Sequence, residues 1–248
     1  MPFLLSSEAA APDRPNEDFA AVTGTCGVVL DGVSAPRDED NGCVHGLAWH
    51  ARRLGTRLLT ELDAGSPLRA ALAEAITSTA AAHERTCDLT VRETPSATVV
   101  AVRVRDEAVE YLVLSDSVLL FHDGEDVRLV ADTRLDDLRP RVGPGTAIRA
   151  WRNVPGGFWT AGADPRAADE ALTGTLPRAP FLVMTDGASR TVEVFGDLSW
   201  AGIFALARAQ GPGTLIERVR SLEAADPAGR RFPRGKERDD ATALWWNP

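Results

Sequence analysis

Acidic residues recur at the ends of apolar runs in this sequence. The segments "CGVVLDG", "YLVLSDS" and "FLVMTDG" carry Asp31, Asp116 and Asp186 after such runs, and "RDDATALWW" sets Asp239 and Asp240 before another. At a strand end a rigid backbone meets solvent, so carboxylates there can converge without being buried unpaired. Converging carboxylates repel unless a cation lies between them, and oxygen ligands without histidine or cysteine favour Mg²⁺ or Mn²⁺. The pattern therefore predicts a divalent-metal site.

Glycine follows two of these acids, as Gly32 and Gly187. Because glycine has no Cβ, it allows a ligand or ion to approach the backbone closely. A single Asp-Gly pair is equally typical of an ordinary turn. Four acids in equivalent positions are less ordinary and favour a shared role.

Hydrophobic periodicity predicts the elements that position the acids. Apolar residues at three- and four-residue steps predict helices, and a period of two predicts strands. In chain order the pattern predicts helices over 44–65 and 67–86, strands over 96–105, 108–124 and 125–130, a strand over 180–187, helices over 199–210 and 212–225, and a strand over 241–246. The segment 131–157, rich in Asp, Arg, Pro and Gly, is predicted to be a mobile surface excursion. This order predicts an α+β sandwich with sheets inside and helices outside.

Length and charge limit the classes of function. A chain of 248 residues with 44% hydrophobic content favours one domain over 1–248. A net charge of -9 and a pI near 5.0 argue against nucleic acid or anionic lipid as partners, and leave proteins or small molecules. The sequence has no apolar run of membrane-spanning length. These features predict a soluble, cytoplasmic protein.

The cysteines and histidines give weaker signals. Cys26, Cys43 and Cys87 are odd in number and show no Cys-x-x-Cys spacing, so we expect buried reduced thiols and predict neither a disulfide framework nor a zinc site. His45 and His50 fall in the first predicted helix, where a polar surface or capping role is favoured over catalysis.

Six short motifs together resemble a known family. Their order and rough spacing are similar, across almost the whole chain, to those of the protein phosphatase 2C family of metal-dependent Ser/Thr phosphatases. The motifs are Asn16-Glu17-Asp18, Asp31-Gly32, Ser96-Ala97-Thr98, Ser115-Asp116-Ser117, Thr185-Asp186-Gly187 and Asp239-Asp240-Ala241-Thr242.

The resemblance implies an α-β-β-α sandwich of two antiparallel sheets, a centre of two Mn²⁺ or Mg²⁺ ions at one edge, and hydrolysis of phosphoserine and phosphothreonine in proteins. It implies that Asp31 bridges both ions and that Asp186 and Asp239 complete the ligands of the first. It further implies that the carbonyl of Gly32 binds the second ion, that Glu17 and Asp18 hold that ion mostly through water, and that Asp116 belongs to a weaker third site. A water shared by two divalent ions becomes a nucleophile, and the ions absorb charge on the phosphoryl oxygens.

The chain differs from the family pattern at the residues that are expected to bind the substrate phosphate. The family commonly has a phosphate-binding arginine four residues before the position of Glu17, where this chain has Asp13, and Arg14 follows one residue later. A loop shortened by one residue could still deliver Arg14 to the phosphate; the alternative is a solvated arginine. After Asp31-Gly32, the residues Val33, Ser34 and Ala35 replace the histidine of animal members and lack the two glycines that follow an apolar residue in bacterial members.

Two further departures affect the metal-binding acids. Arg190 stands where the family tends to have an acid that assists the third ion, so the cation is expected to disfavour that ion or to pair with Asp116. Asp240 replaces the usual Asn after Asp239 and adds a negative charge.

The leading hypothesis is a monomeric Mn²⁺/Mg²⁺-dependent phosphatase acting on phosphorylated protein. The altered loop and displaced arginine leave open a regulatory or binding module of the same fold with little turnover. The 131–157 segment leaves open a hydrolase of small-molecule phosphates, because fold does not determine substrate.

Overall fold

Two antiparallel sheets form the centre of the structure. The computed structural model describes residues 3–33, 40–142 and 146–248. Their strands are β1 (Leu4–Glu8), β2 (Phe19–Val22), β3 (Cys26–Val33), β4 (Ser96–Val104), β5 (Ala108–Leu114), β6 (Val118–His122), β7 (Val127–Val130), β8 (Leu172–Pro177), β9 (Phe181–Met184) and β10 (Ala241–Trp246). The helices are α1 (Leu47–Asp63), α2 (Leu68–Ala81), α3 (Arg134–Val142), α4 (Thr146–Arg149), α5 (Asp186–Glu193), α6 (Trp200–Gln210) and α7 (Pro212–Ala225). The first sheet has the order β2-β3-β4-β5-β8 and the second the order β1-β10-β9-β6-β7.

Three apolar layers join the sheets and the helices. In β3, Val28 and Leu30 pack under α1 and α2, whereas Val29 points into the space between the two sheets. Residues from α5, α6 and α7 cover the outer face of the second sheet. The alternation arises because successive strand side chains point to opposite faces, and each fully buried leucine contributes about 2 kcal/mol. The predicted α-β-β-α sandwich is confirmed.

Helix α1 begins later than the periodicity predicts. Val44 is 78% exposed, and Gly46, with φ of 78°, immediately precedes the first helical residue, Leu47. A positive φ favours glycine and interrupts a helix, so residues 40–46 form a loop ahead of α1.

The run predicted as one strand over 108–124 is two strands in different sheets. β5 belongs to the first sheet and β6 to the second, and the chain passes between them at 115–117. Ser115 has φ of 68°, and its backbone N–H donates to the buried carboxylate of Asp132 at 3.0 Å. The polar triplet inside the apolar run was the sign of this crossing.

The segment 131–157 is more regular than predicted. It contains α3 and α4, and Leu138 of α3 is buried. Residues 143–145 lie outside the described residues, as do residues 34–39. The second range includes Ser34 and Ala35, which differ from the family pattern. Strands β1 and β8 and helix α5 were not predicted, because each is short and lacks a clear apolar period.

No helix among the described residues is both long and apolar enough to cross a bilayer.

Candidate metal centre

The strand ends place the predicted acids at one edge of the sandwich. β9 runs antiparallel to both β10 and β6, so the end of β9 meets the beginnings of the other two. Asp186 follows β9, Asp239 precedes β10 and Asp116 precedes β6. Asp31 comes from the first sheet, where it pairs with Thr98 of β4. Both sheets thus contribute acids to the same edge.

The pKa of Asp31 responds to burial and to the other acids at this edge. Burial raises the pKa of Asp31 well above its ordinary value, and the carboxylates of Asp186, Asp18, Asp239 and Asp116 raise it further. Burial and Asp186 likewise raise the pKa of Asp116 to about 6. Mutual repulsion of this kind disfavours the charged forms unless a cation joins them. We call these five residues the acidic cluster.

Asp18 carries an unsatisfied oxygen. Its side chain is 7% exposed; Oδ2 accepts a hydrogen bond from Thr185 Oγ1 at 2.9 Å, while Oδ1 is buried without a hydrogen-bond partner. Burial raises the pKa of Asp18 to about 7, although hydrogen bonds from Thr242 and Thr185 oppose the shift. A buried carboxylate oxygen without a donor is costly. Together with the all-oxygen donor set, it fits a hard divalent cation.

Two glycines allow the backbone to pack tightly here. A Cβ on Gly32 would lie 2.9 Å from the carbonyl oxygen of Glu17, and the Gly32 N–H donates to that same oxygen at 3.2 Å. A Cβ on Gly187 would overlap the carbonyl of Asp240. The glycines therefore bring Glu17 beside β3 and α5 beside Asp239 and Asp240.

Asp239 is held by two cations. Its Oδ2 accepts from Arg190 at 2.9 Å, and its Oδ1 accepts from Lys236 at 2.7 Å. Arg190 is buried and also donates to Glu223 at 2.6 Å. The expected pairing of Arg190 with Asp116 was wrong: α5 points this side chain toward α7 and Asp239.

Lys236 was missed by the sequence reasoning. Burial alone would lower its pKa, but the carboxylates of Asp239, Asp31 and Asp186 outweigh burial and raise the pKa above the ordinary lysine value. The chain has no other lysine. Its position in a polar loop three residues before Asp239 was the only available sign.

Glu193 was missed as well. Burial raises its pKa to about 7, a hydrogen bond from Ser189 opposes the shift, and Asp186, Asp136 and Asp116 add to it. Asp186 and Glu193 begin and end α5, seven residues apart and hence on one face of the helix. That spacing was the signal in the sequence.

Asp240 holds the segment that precedes β2 in place through two hydrogen bonds. Its Oδ1 accepts from the backbone N–H of Ala10 at 2.7 Å, and its Oδ2 accepts from that of Glu17 at 2.8 Å. The extra negative charge therefore serves to hold the chain that carries Arg14, Glu17 and Asp18.

We expect Asp240→Ala to lower the free energy of unfolding by about 2 kcal/mol, because two N–H groups lose a charged acceptor. Urea unfolding measures the change. Asp106→Ala, an exposed acid in the turn between β4 and β5, is the matched control and should change stability little. Equal stability of both variants and the wild type would contradict the role of Asp240.

Arg14 and the first two histidines do not join the acidic cluster in this structure. Arg14 is exposed in the turn after β1, where its N–H donates to Ala11. His45 precedes α1 rather than lying in it. His50 is buried, not on a polar surface as expected; its Nε2 lies 2.9 Å from the carbonyl oxygen of Ala161, and burial lowers its pKa to about 4, which keeps it neutral.

A cavity of about 380 Å³ opens at the start of β4. Ser96, which lines it, pairs with Val33, two residues beyond Asp31. Arg92 and Arg152 also line the cavity. It thus adjoins the strand ends that carry the acids.

Comparison with known proteins supports the fold. No family model and no curated protein matches the chain. Among solved structures, the catalytic domain of the serine threonine protein phosphatase PstP in complex with two manganese ions is 16% identical with a TM-score of 0.63, over 98% of this chain and 96% of that one. Stp1, a serine/threonine phosphatase from Staphylococcus aureus, is 13% identical with a TM-score of 0.65, over 99% and 94% of the two chains.

A third solved structure, PppA, a key regulatory component of T6SS in Pseudomonas aeruginosa, is 17% identical with a TM-score of 0.63, over 98% of this chain and 96% of that one. At these identities the likeness defines the fold. The chain therefore has the fold of the bacterial protein phosphatase 2C-type Ser/Thr phosphatases, as its motifs predicted, in a form far diverged in sequence.

Proposed function

We propose that the protein is a Mn²⁺- or Mg²⁺-dependent phosphatase that hydrolyses phosphoserine and phosphothreonine in proteins. The observation that carries the proposal is the acidic cluster, in which burial and neighbouring carboxylates raise the pKa values of Asp31, Asp18, Asp116 and Asp239 and one buried oxygen of Asp18 has no hydrogen-bond donor. A fold shared with a phosphatase solved with two manganese ions supports it.

In this proposal Asp31 would serve both ions, because burial and four neighbouring carboxylates all disfavour its charged form unless cations are bound. Asp186 and Asp239 would complete the ligands of one ion, and the Gly32 carbonyl, Glu17 and Asp18 would serve the other. Bound ions supply an acidified water as nucleophile and neutralise charge on the phosphoryl oxygens. The proposal includes no third ion at Asp116. Position 190 holds an arginine, which pairs with Asp239, and not an acid that could help to bind such an ion.

Asp240 and Arg14 are proposed to position the phosphate of the substrate at this edge of the sandwich. Asp240 anchors the turn that presents Arg14, and the exposed guanidinium of Arg14 is suited to bidentate capture of a phosphate. We propose this role for Arg14 because its segment is held at both Ala10 and Glu17. A guanidinium is preferable to an ammonium here, since its planar donors match two phosphate oxygens.

The test is hydrolysis of p-nitrophenyl phosphate and of phosphothreonine peptides by purified protein with Mn²⁺, alongside calorimetry of Mn²⁺ binding. We expect both binding and turnover, and we expect Arg14→Ala to raise KM for the peptide more than it lowers kcat. Binding without turnover of either substrate would indicate the alternative, a regulatory module of the same fold. Absence of divalent-ion binding would end the metal-dependent proposal.

Lys236 is an observation in favour of the regulatory module, because it competes with a metal ion for Asp239. Its ammonium occupies an oxygen of Asp239 and offsets negative charge of the acidic cluster, so an ion at Asp239 competes with it. The side chain is 47% exposed and can be displaced into solvent.

We expect Lys236→Gln to lower the dissociation constant for Mn²⁺ about tenfold, because one opposing charge is removed. Calorimetry at low ionic strength measures the change. Lys236→Arg keeps the charge and is the matched control, with an affinity close to that of the wild type. Equal affinity of all three proteins would show that Lys236 does not compete with the ion.

The cavity beside β4 favours a second substrate class, small-molecule phosphates. Its volume lies within the range of small-ligand sites, and its lining includes the guanidinium groups of Arg92 and Arg152 beside the carboxylate of Asp164, with Arg152 paired to Glu93 at 2.8 Å. Parallel assays of phosphopeptides and phosphorylated metabolites separate the two classes. A higher kcat/KM for metabolites, lost in Arg92→Ala, would replace the protein substrate in the proposal.

We further propose that residues 1–248 act as a single domain, as a monomer in the cytoplasm. The continuous apolar layers between and outside the two sheets support the single domain. Size-exclusion chromatography with light scattering tests the monomer.

A further inference from the structure

Two cysteines and two histidines, none of them part of the acidic cluster, lie close together in the structure. Cys43 and His45 lie in the loop ahead of α1, and His83 and Cys87 lie in the turns after α2. One ligand atom from each of the four lies within 4.8 Å of the other three, and this is the group of potential metal ligands that the described ranges bring together most clearly. We call it the Cys-His cluster.

The spacing of the donor atoms matches a tetrahedral shell. The two sulfurs are 3.4 Å apart, and the Nδ1 of His45 lies 3.3 Å from Cys87 Sγ and 3.8 Å from Cys43 Sγ. The Nδ1 of His83 is 3.6 Å from Cys43 Sγ. Zinc bonds of about 2.3 Å to sulfur and about 2.0 Å to nitrogen give tetrahedral edges of roughly 3.8 Å between sulfurs, roughly 3.5 Å between sulfur and nitrogen and roughly 3.3 Å between nitrogens. The four separations above lie within a few tenths of an ångström of such edges, and all four donor atoms lie within 4.8 Å of one another.

The surrounding chain holds these side chains in place. The backbone N–H of His45 donates to Cys43 Sγ at 3.5 Å, as expected beside a metal-binding thiolate. The His45 ring stacks on Trp49 with centroids 4.3 Å apart, and Trp49 also contacts the His83 ring at 4.9 Å. His83 is 3% exposed. The donors are thus positioned before any ion binds.

A backbone contact brings the two loops together. The N–H of Asp88 donates to the carbonyl of Gly42 at 2.8 Å, and a Cβ on Gly42, whose φ is 69°, would lie 2.5 Å from the Asp88 carbonyl oxygen. Only a glycine accommodates this approach without strain.

We propose that Cys43, His45, His83 and Cys87 bind one Zn²⁺ ion. On binding, each thiol releases its proton to solvent, two thiolates and two neutral imidazoles coordinate through Sγ and Nδ1, and the two negative charges balance the ion. Four protein ligands leave no open position, so the site is structural. The proposal departs from the expectation that the cysteines form no zinc site, which considered Cys-x-x-Cys spacing alone and not Cys-x-His with His-x₃-Cys.

The ion would clamp residues 40–46, which immediately precede α1. Leu47, the first residue of α1, lies against Gly32, since a Cβ on Gly32 would be 3.3 Å from the Leu47 Cβ. The clamp therefore fixes the start of α1 relative to Asp31-Gly32 and ties it to the end of α2. This role is independent of phosphatase activity.

The experiment measures zinc in protein expressed with added zinc and purified under reducing conditions without chelator. We expect one equivalent per chain by plasma mass spectrometry, and a visible spectrum of tetrahedral cobalt with a thiolate charge-transfer band when Co²⁺ replaces zinc. Cys43→Ser and His83→Asn should lose both signals, and release of zinc by a thiol-modifying reagent should lower Tm by several degrees.

Matched controls separate this site from other residues. Cys26→Ala and His122→Asn alter the remaining cysteine and a distant histidine and should retain zinc. Asp31→Asn should retain it too, which would place the zinc away from the acidic cluster. Zinc content unaffected in Cys43→Ser, or reduced wild-type protein that takes up neither Zn²⁺ nor Co²⁺, would overturn the proposal. Identification of a Cys43–Cys87 disulfide in protein that binds no zinc even after reduction would assign the pair to redox chemistry instead.

Discussion

Replacing Asp31 by asparagine should lower the Mn²⁺-dependent kcat/KM for p-nitrophenyl phosphate by about a thousandfold, equivalent to ~4 kcal/mol of transition-state stabilisation. Burial and the carboxylates of Asp186, Asp18, Asp239 and Asp116 all raise the pKa of Asp31, so its charged form is strongly disfavoured without a bound cation. An amide carries no charge and is a weaker ligand, and it can no longer join two cations. Steady-state kinetics over a range of Mn²⁺ concentrations measures the loss.

The stability of the same variant shows whether the loss arises from misfolding. Without divalent ions, Asp31→Asn should be at least as stable as the wild type, because a buried acid repelled by its neighbours has been neutralised. The rise in Tm that Mn²⁺ gives the wild type should disappear. Asp106→Asn, in an exposed turn, should keep both the activity and the rise. Activity within tenfold of the wild type in Asp31→Asn would remove Asp31 from the proposed centre.

The protein without divalent ions should lose stability as the pH rises from about 5 to 8. Burial raises the pKa of Asp18 from 3.8 to about 7, and similar causes raise the pKa of Glu193 to about 7 and of Asp116 to about 6. Between pH 3.8 and 7 these acids bind more protons in the folded state than in the unfolded state, so they make the stability fall as the pH rises. The pKa of His50, which burial lowers to about 4, opposes this fall below pH 6.5, but three raised acids outweigh one histidine. For Asp18 alone the full effect is about 4 kcal/mol.

Urea unfolding at several pH values, in buffer depleted of metal by a chelating resin, measures this loss. Saturating Mn²⁺ should reverse the trend, since protons compete with the ion for the same carboxylates. Asp18→Asn should flatten the profile, while Asp13→Asn, an exposed acid nearby, should leave it unchanged. A stability that is constant or rises between pH 5 and 8 in the wild type without Mn²⁺ would contradict the raised pKa values.

The positions of the acids could be predicted because they depend on local pattern. An apolar run followed by an acid predicts a strand that ends near a carboxylate; Asp116 and Asp186 follow the ends of β5 and β9, and Asp31 lies two residues before the end of β3. That the ends meet at one edge came from the family resemblance, since pattern alone does not give strand order. The order places β10 beside β9 and β1, elements widely separated in sequence.

Other features depend on contacts that a pattern does not carry. Arg190 pairs with Asp239 and Glu223 because α5 packs against α7, and a single arginine in an arginine-rich chain gives no sign of that. The halves of the Cys-His cluster come from either side of a helical hairpin, with two helices between them. The change of sheet at Ser115 is marked in the sequence only by the polar triplet 115–117, which does not tell which sheet the next strand joins.

The place of β10 in the second sheet has a consequence for biosynthesis. β10 pairs with β1 and β9 and comes after every other described element, and Asp240 beside it holds Ala10, 230 residues earlier. A nascent chain therefore leaves the ribosome with these two strands unjoined and their edges open to other chains. The acidic edge is complete only after translation has passed Asp240, and the high sequence separation of these contacts slows that step.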